Sequence, residues 1–389
     1  MQQAAMAQQA RMQEIEVENA LKARIKQMEL ERQRREEQLI QKEEQHIQQL
    51  SMVADKIDNL DNDLTKRDKQ LKKEIKTEIK NNNMSLVVVG SMAFDAIETP
   101  FGKSDKIIGG AATYIAWCAS NFTPVKQISV VGGDFPQSEL DALTARGVTL
   151  EGVQIKKDEK TFFWSGKYHL DMNTRDTLDT QLNVLENFEP VVPDSYQDCE
   201  ILMLGNLVPG VQSSVIKQMK NRPKLIVMDT MNFWMEIMLD DLKHTISLVD
   251  VLLVNDSEAR QLSGEYSLVK AAKKIMQMGP KYLIIKKGEH GALLFHENQV
   301  FFAPALPLEE VFDPTGAGDT FAGGFVAHLA KTKDFSFENM KSAIIVGSAM
   351  ASYCVEKFGT ERLKGLSTEA IDERVNMFIE LSQVDIELV

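Results

Sequence analysis

The stretch Asp313–Phe321 reads DPTGAGDTF and continues into a helix-like sequence, AGGFVAHLA. Gly316 and Gly318 allow the backbone to turn tightly and to approach a ligand closely. The amides of these glycines and of Ala317 would point outward from the first turn of the helix, where unpaired N–H groups and the helix dipole bind anions. The stretch therefore predicts a pocket for negative charge, including the charge that develops on a phosphoryl group during transfer.

A carboxylate, Asp319, occupies the same turn. An acceptor hydroxyl must lose its proton as it attacks a phosphoryl group, and a carboxylate beside the anion pocket can take that proton. The helix dipole would keep this carboxylate ionised at neutral pH. Aspartate also commonly caps helices, and for an isolated Asp after Gly the base frequency favours the cap. From the residues alone, a general base and a helix cap both remain open for Asp319.

Two other glycine-rich phosphate loops do not fit the sequence. The dinucleotide fingerprint G-x-G-x-x-G lies near a first strand, whereas here Phe321 replaces the last glycine and the motif comes late in the chain. Gly102-Lys103-Ser104 resembles the end of G-x-x-x-x-G-K-[ST], but Ile97 stands at the first glycine position. Both interpretations are rejected.

The run DPTGAGDTFAGGF resembles the C-terminal signature, D-T-x-G-A-G-D-x-F, of the ribokinase-like (PfkB) carbohydrate and nucleoside kinases. The resemblance covers about residues 85 to 380. It implies a three-layer α/β/α fold with a mostly parallel central sheet and a small β lid. It also implies ATP-dependent transfer of the γ-phosphoryl group, with Asp319 as catalytic base and Gly316, Ala317 and Gly318 as the anion hole.

The resemblance extends to the acceptor site. Asp95, in VVVGSMAFD, follows the first apolar run, where the family places an aspartate on the acceptor's hydroxyls; a carboxylate can accept two such O–H groups. Composition alone is equally consistent with a surface turn at Asp95. Gly109 and Gly110 resemble the glycine pair of the N-terminal signature, which lets the acceptor approach the backbone. Tyr114 replaces an asparagine that usually helps to hold the sugar, so a sugar and a nucleoside both remain candidate acceptors.

Two further motifs resemble the nucleotide site. Asn255 and Glu258, in NDSEA, match the family's N-x-x-E, in which a carboxylate organises Mg²⁺ through water. Without the resemblance, Glu258 would be interpreted as a first-turn helix charge. KKGEHG, residues 286–291, matches the loop that contacts the nucleotide, and its candidate residues are Lys287, Gly288 and Gly291.

The start of the anion turn resembles the region in which some family members hold a monovalent cation such as K⁺. The matching residues are Asp313, Thr315 and the FGT turn at 358–360, and Thr315 is also a candidate nucleotide contact. The family segment D-P-N-x-R corresponds here to DTMNFW, with Asn232 one place late. Asn232 is interpreted either as a phosphate contact or as a helix cap.

Short β-branched runs must position these residues. They alternate with helical stretches such as VQSSVIKQMK and SLVKAAKKIMQM, which is typical of a parallel sheet covered on both faces. The runs are LVVVG (86–90), ILMLGN (201–206), KLIVMDT (224–230), VLLVN (251–255) and YLIIKK (282–287). Such sheets bind ligands at the carboxyl ends of their strands. Strands at about 94–110 and 161–170 are expected to form the lid, which would exclude water from the site.

Residues 1–83 differ from the kinase-like region 84–389. They contain no Gly, Pro, Phe, Tyr, Trp or Cys, and good helix formers dominate. Apolar residues recur at steps of three and four, which predicts a short coiled-coil seam; they are Leu50, Val53, Ile57, Leu60, Leu64 and, after Arg67, Leu71. A solvated helix without a partner is the alternative. The extension also raises the hypothesis of a non-catalytic, kinase-like module that assembles through this helix.

The net charge of −13 falls entirely on residues 84–389, because residues 1–83 hold equal numbers of acidic and basic residues. This charge argues against non-specific binding to nucleic acid or an anionic membrane. The chain has three cysteines, no signal-like start and no run long enough to span a membrane, so we expect a cytoplasmic protein. Its expected partners are a small sugar or nucleoside, ATP and Mg²⁺, with a homo-oligomer formed through the lid or the N-terminal helix.

Overall fold

The β-branched runs form the centre of a large sheet. The computed structural model describes residues 85–383. Within those residues, seven neighbouring strands are parallel and an antiparallel hairpin extends one edge. In spatial order the strands are β13 (Gln299–Ala303), β12 (Ala292–His296), β11 (Tyr282–Lys286), β10 (Val251–Asn255), β9 (Leu225–Asp229), β8 (Ile201–Leu204), β1 (Leu86–Val89), β4 (Val125–Gly132) and β5 (Val148–Lys156).

All five predicted strand runs are confirmed, as β1, β8, β9, β10 and β11. Each is apolar on both faces because each face of the sheet is covered by helices. The hairpin of β12 and β13 and the edge pair of β4 and β5 were not predicted from the sequence. The sequences of β4 and β5, VKQISVVG and VTLEGVQIK, mix polar and apolar residues and lack the continuous apolar pattern of the central strands. Those of β12 and β13, ALLFH and QVFFA, carry short apolar runs that were not singled out from the sequence.

Helices occupy both faces of the sheet and make the three-layer α/β/α arrangement that the sequence predicted. They are α1 (Ala111–Ala119), α2 (Gln137–Ala145), α3 (Pro209–Gln218), α4 (Asn232–Ile237), α5 (Leu239–Ile246), α6 (Asp256–Ser263), α7 (Leu268–Met276), α8 (Ala317–Thr332), α9 (Phe337–Cys354) and α10 (Thr368–Ser382), with short 3₁₀ turns at Asn183–Leu185, Asp194–Tyr196, Gly288–His290 and Leu363–Gly365. Helices α1, α8 and α9 share one core with the sheet, and α3, α5, α6 and α7 share the other.

The two cores follow from the two-residue period of the strands. In β10, for example, Val251 and Leu253 face the core that contains α8, whereas Leu252 and Val254 face the opposite core. All four side chains are fully buried. This burial fixes the register of the central strands and therefore the positions at which they end.

A second, smaller sheet lies apart from the main one. Its strands are, in spatial order, β3 (Gly102–Gly109), β2 (Ala93–Thr99), β6 (Phe162–Tyr168) and β7 (Arg175–Gln181). The first three lie in the two segments expected to form a lid, whereas β7 lies beyond residue 170 and was not expected. All residues of β7 are exposed and all except Leu178 are polar, so its sequence, RDTLDTQ, does not resemble a buried strand.

The predicted helical and coiled-coil segment 1–83 lies outside the described residues, and so does its boundary with the region from residue 84. The coiled coil and its assembly role therefore stay predictions. Within residues 85–383, no helix combines the length and the apolar character needed to cross a membrane.

Candidate active site

Three neighbouring parallel strands of the main sheet end in polar residues. β9 ends at Asp229, β10 at Asn255 and β11 at Lys286. Since adjacent parallel strands end at the same edge, these side chains border one crevice. The predicted residue Asn255 lies there, together with two residues that the sequence did not single out.

The predicted anion turn leads directly into α8. Gly316 has the left-handed conformation, with φ of 75°, and occupies the N-cap position without any side-chain cap. The Ala317 amide donates to the Pro314 carbonyl at 3.2 Å, so it takes part in the turn itself. The amides of Gly316 and Gly318 have no hydrogen-bond partner among residues 85–383. The turn therefore presents at least two free N–H donors of the kind that bind anions.

A buried carboxylate, Asp313, holds the beginning of the turn. Its Oδ1 accepts the Thr315 amide at 2.9 Å and its Oδ2 accepts the Gly359 amide at 3.0 Å. Burial raises the pKa of Asp313, and these hydrogen bonds oppose the rise. Each oxygen thus accepts a backbone amide, and these hydrogen bonds hold the start of the turn. A monovalent cation beside Asp313 stays a prediction.

Tyr114 lies beneath the anion turn and is only 1% exposed. A Cβ atom on Gly316 would lie 2.4 Å from the Tyr114 ring, so the ring packs against the turn where Gly316 leaves room for it. The phenolic oxygen has no hydrogen-bond partner in the described part of the chain. Burial raises the pKa of Tyr114 well above its ordinary value, and Asp313 and Asp95 raise it further. The structure thus places Tyr114 as support for the turn, while its predicted contact with an acceptor stays untested.

Asp95 projects from β2 of the small sheet and is 5% exposed. Its Oδ2 lies 1.8 Å from the position that a Cβ atom on Gly109 would occupy, so the carboxylate packs directly on that glycine. Gly110 follows with φ of 92° and begins α1. The predicted acceptor residues Asp95, Gly109 and Gly110 are therefore together.

Asp319 lies at the third position of α8 and is partly buried. Its side chain makes no helix-capping hydrogen bond, so the capping interpretation is wrong. Burial raises the pKa of Asp319 to about 7, with a further increase from Asp229, whereas Lys286 and Arg175 lower it. Desolvation therefore opposes the helix dipole, which was predicted to keep this carboxylate ionised at neutral pH.

The carboxylates of the acceptor side and of the anion turn influence one another. Burial raises the pKa of Asp95 to about 8, and the negative charges of Asp313 and Asp319 contribute to this rise. The Gly110 amide and Arg175 act in the opposite direction. Two interacting carboxyl groups with raised pKa values, Asp95 from the small sheet and Asp319 from α8, thus lie close together, which is typical of a catalytic site.

Asn255 and Glu258 form a capping box at the start of α6. Oδ1 of Asn255 accepts the Glu258 amide at 2.8 Å, and Oε2 of Glu258 accepts the Asn255 amide at 2.7 Å. Glu258 is buried, and burial raises its pKa to about 7 while Lys286 opposes the rise. The other oxygen of Glu258 accepts no hydrogen bond from any described residue.

Magnesium fits this arrangement through the nucleotide rather than through a protein cage. Residues 85–383 contain no group of three or more His, Cys, Asp or Glu side chains arranged to hold a metal ion. Mg²⁺ in phosphoryl-transfer sites is usually held by one or two carboxylates, waters and the substrate's phosphates. The free oxygen of Glu258 supplies one carboxylate of that kind.

The predicted nucleotide loop follows β11. The two ends of this loop are hydrogen-bonded to each other, because the Lys287 amide donates to the Gly291 carbonyl at 2.8 Å. Gly288 and Gly291 have φ of 55° and 80°, conformations that favour glycine. A Cβ atom on Gly288 would lie 2.2 Å from Oδ1 of Asn173, at the tip of the β6–β7 hairpin. The hairpin therefore reaches from the small sheet to the nucleotide loop.

Arg175 is the first residue of β7 and pairs in register with Tyr168, the last residue of β6. Tyr168 accepts a hydrogen bond from Oγ1 of Thr315 at 3.2 Å, which attaches the hairpin to the anion turn. The Arg175 charge lowers the pKa values of Asp95, Asp319 and Glu258, so Arg175 lies within electrostatic reach of all three carboxyl groups. No sequence motif marks it, because its position depends on how the hairpin folds over the crevice.

Asn232, for which a phosphate contact and a helix cap were both considered, is exposed and is the first residue of α4. Met231 takes the N-cap position and no side chain caps this helix, so the capping alternative is wrong. A phosphate contact of Asn232 stays a prediction.

Comparisons with known proteins agree with this architecture. The family described as "pfkB family carbohydrate kinase" matches residues 83–364. A cytidine kinase of Thermococcus kodakarensis is 28% identical over 283 residues, which cover 71% of this chain and 98% of the relative.

Two solved structures share the fold. A nucleoside kinase of Methanocaldococcus jannaschii has a TM-score of 0.62 and 20% identity, and the match covers 76% of this chain and 99% of that one. A Burkholderia thailandensis nucleoside kinase in complex with ADP-inosine has a TM-score of 0.61 and 20% identity, with coverage of 76% and 96%. The ribokinase-like fold predicted from the sequence is therefore confirmed.

Proposed function

The chain belongs to the pfkB family of carbohydrate kinases, and from this premise we propose that it transfers the γ-phosphoryl group of ATP to a hydroxyl group of a small sugar. One observation carries the proposal. Asp319 shares a turn with the free amides of Gly316 and Gly318, and it is close enough to Asp95 for its charge to raise the pKa of Asp95. A proton acceptor, an anion pocket and a hydroxyl-binding carboxylate thus border one space.

The transfer uses these groups in one step. The acceptor oxygen attacks the γ-phosphorus in line, its O–P bond forms, and the bond between that phosphorus and the bridging oxygen breaks to release ADP. Asp319 takes the acceptor's hydroxyl proton as it attacks, and becomes the protonated carboxylic acid. The amides of Gly316 and Gly318 stabilise the charge on the transferring group. The pKa of Asp319, about 7, suits a base that works near neutral pH.

Asp95 orients the acceptor. Its carboxyl group lies on Gly109, where the absence of a side chain leaves the backbone open to a polyol. An acceptor with two adjacent hydroxyls can donate both protons to the ionised carboxylate. Because burial raises the pKa of Asp95 to about 8, part of the free enzyme carries a neutral carboxyl here, and acceptor binding favours its ionisation.

The nucleotide is expected along the strand ends. Its phosphates lie near Asn255 and Thr315, and the loop of Lys287, Gly288 and Gly291 contacts the remainder of ATP. Bound with ATP, Mg²⁺ supplies electrostatic neutralisation of the phosphates, and Glu258 is the residue positioned to orient its water ligands. Asp313 is the candidate for a monovalent cation.

Arg175 completes the site from the small sheet. The guanidinium lies within electrostatic reach of Asp95, Asp319 and Glu258, the residues proposed for the acceptor, the transferring group and the metal respectively. It is an exposed residue on a hairpin that also contacts the anion turn and the nucleotide loop. We assign Arg175 to the phosphates, where a cation stabilises the charge of the transition state.

A nucleoside is the second candidate acceptor. The cytidine kinase relative matches over nearly its whole length, and a nucleoside kinase with bound ADP-inosine shares the fold. A nucleoside offers the ribose hydroxyls that Asp95 would bind, so the site is compatible with either acceptor.

The experiment is a panel of free sugars and nucleosides assayed with ATP and Mg²⁺ for ADP release, with the phosphorylated product identified by mass spectrometry. We expect one acceptor class to raise ADP release well above the rate without acceptor. A free sugar as the sole substrate supports the first candidate, and a nucleoside supports the second. A wild-type protein that binds ATP but consumes none with any acceptor would favour the non-catalytic alternative.

A further inference from the structure

A buried ion pair joins the ends of two strands at the active-site crevice. Nζ of Lys286 donates to Oδ2 of Asp229 at 2.7 Å, and the side chains are 18% and 5% exposed. The other oxygen of Asp229 accepts the amide of Thr230 at 3.0 Å. Asp229 is therefore held in one orientation, and it fixes the ammonium group of Lys286 in turn.

The ammonium lies against the anion turn. A Cβ atom on Gly318 would lie 3.0 Å from Nζ of Lys286, so no side chain separates the ammonium from the backbone at this point. The amide of Gly318 is one of the free donors of the turn. An anion bound to that amide would therefore also be within reach of the ammonium.

The ammonium group of Lys286 has N–H donors that no described residue accepts. Of its three N–H groups, one is used by Asp229, and no other described residue accepts a hydrogen bond from it. Burial would lower the pKa of Lys286, but Asp229 and Glu258 reverse this effect and raise the pKa above its ordinary value. Lys286 is thus cationic at neutral pH, with two donors left for a ligand.

We propose that Lys286 is a catalytic residue that binds the phosphates of ATP from the strand side of the anion turn, and that Asp229 is the positioning residue that holds it there. This inference rests on the proposed function. As the bond from the γ-phosphorus to the bridging oxygen breaks, negative charge grows on the departing ADP and on the transferring group. The ammonium stabilises that charge by hydrogen bonding and gives up no proton.

The competing explanation is that Lys286 only neutralises Asp229 for the sake of the fold. Nucleotides of different length separate the two explanations, because AMP lacks the β- and γ-phosphates. We expect K286M to weaken ATP binding by about tenfold or more, as for a lost charge-assisted hydrogen bond, and to leave AMP binding unchanged. We expect kcat of K286M to fall by about 10²–10³-fold, and K286R, which keeps a positive charge, to retain part of the wild-type kcat.

The control is K281M. Lys281 lies just before the opposite end of β11, where its exposed side chain pairs with the buried Asp250 at 3.5 Å. Arg222 also pairs with Asp250, at 2.9 Å, so K281M leaves that carboxylate with a partner and should change neither ATP affinity nor turnover. ATP binding by K286M at the wild-type affinity would overturn the inference. An equal loss of AMP and ATP binding would do the same. A wild-type protein that binds no ATP would instead refute the proposed function.

K286M leaves Asp229 buried without its partner and could prevent folding. The double variant K286M/D229N removes both charges and should fold, with the same selective loss of ATP binding. The double variant also tests the positioning role. If Asp229 acts only through Lys286, D229N lowers kcat in the wild-type background and causes no further loss in the K286M background. A further loss there would contradict the positioning role.

Discussion

Oγ1 of Thr315 donates a hydrogen bond to the phenolic oxygen of Tyr168 at 3.2 Å. Thr315 belongs to the anion turn that precedes α8, whereas Tyr168 ends β6 of the small sheet, so this bond attaches one sheet to the catalytic turn of the other. At its tip, the same hairpin places Asn173 against Gly288 of the nucleotide loop. The hairpin therefore makes two contacts across the crevice, and Arg175, two residues after Asn173, pairs with Tyr168 on the neighbouring strand.

The position of Arg175 predicts a catalytic effect without a large effect on acceptor binding. R175A should lower kcat by about 10²–10³-fold, because it removes a cation from the phosphates, while KM for the acceptor changes little. R175K should retain part of the activity, since it keeps the charge but loses the planar fork of donors. Steady-state kinetics with both substrates varied will measure this.

Lys167, on the neighbouring strand β6, provides the control for R175A. It is exposed and pairs with Glu98 at 2.6 Å. K167M should therefore leave kcat within about twofold, as expected for a surface ion pair. If kcat fell equally in K167M and R175A, the loss of any positive charge from the small sheet would lower kcat. The specific assignment of Arg175 to the phosphates would then be wrong.

The contact between Asp95 and Gly109 predicts a sharp steric effect. In G109A, the new methyl group would occupy space within 1.8 Å of Oδ2 of Asp95, so the carboxyl group must move. We expect kcat/KM for the acceptor to fall by on the order of 10²-fold, the usual effect of misplacing a binding group by about 1 Å, with little change in ATP affinity. Gly210 of α3 has nothing within 4 Å of its Cβ position, and G210A is the matched control. A G109A enzyme with normal acceptor kinetics would place the acceptor elsewhere.

The raised pKa of Asp319 predicts a dependence of stability on pH. The folded protein holds a proton on Asp319 up to about pH 7, whereas the unfolded chain loses it near pH 4, so the free energy of unfolding falls as pH rises between these values. D319N cannot ionise and avoids this loss. Its melting temperature should therefore exceed that of the wild type at pH 8, with the difference disappearing towards pH 4. A difference independent of pH would show that Asp319 is not the titrating group.

Activity should depend on pH in the opposite sense. The base must be ionised, so kcat/KM should fall as pH decreases through about 7. Besides burial, the charged groups that set this value come from three strands: Asp229 from β9, Lys286 from β11 and Arg175 from β7. Because Arg175 lowers the pKa of Asp319, R175A should move the acid limb of the profile to higher pH. An unchanged limb would mean that the two side chains do not interact.

Much of the fold could be predicted because its central strands carry a local signal. Runs such as LIVMD and VLLVN are apolar on both faces, and that pattern alone distinguishes a covered parallel strand from an exposed one. The anion turn was equally visible, since only glycine readily adopts the left-handed conformation found at Gly316. Exposed strands such as β7 have no such pattern, because solvent accepts any polar residue there.

The residues that sequence reasoning missed depend on tertiary contacts. Lys286 and Lys287 are adjacent, and the loop motif favoured Lys287; only the register of β11 places Lys286 beside Asp229. Arg175 is brought to the crevice by a hairpin whose course no local pattern encodes. The ring of Tyr114 fills the space under Gly316, a packing role that its motif position did not indicate, while its contact with the acceptor stays a prediction. The motifs thus predicted the region of the structure in which a side chain lies, but not the groups that it contacts there.

The most direct test of the account is the turnover of D319N with saturating ATP and the acceptor that the substrate panel identifies. We predict that kcat falls by about 10²–10⁴-fold, as for a lost general base, while the Kd for ATP stays near the wild-type value. A D319N enzyme that turns over at the wild-type rate would contradict the assignment of Asp319 as the base and, with it, the proposed mechanism.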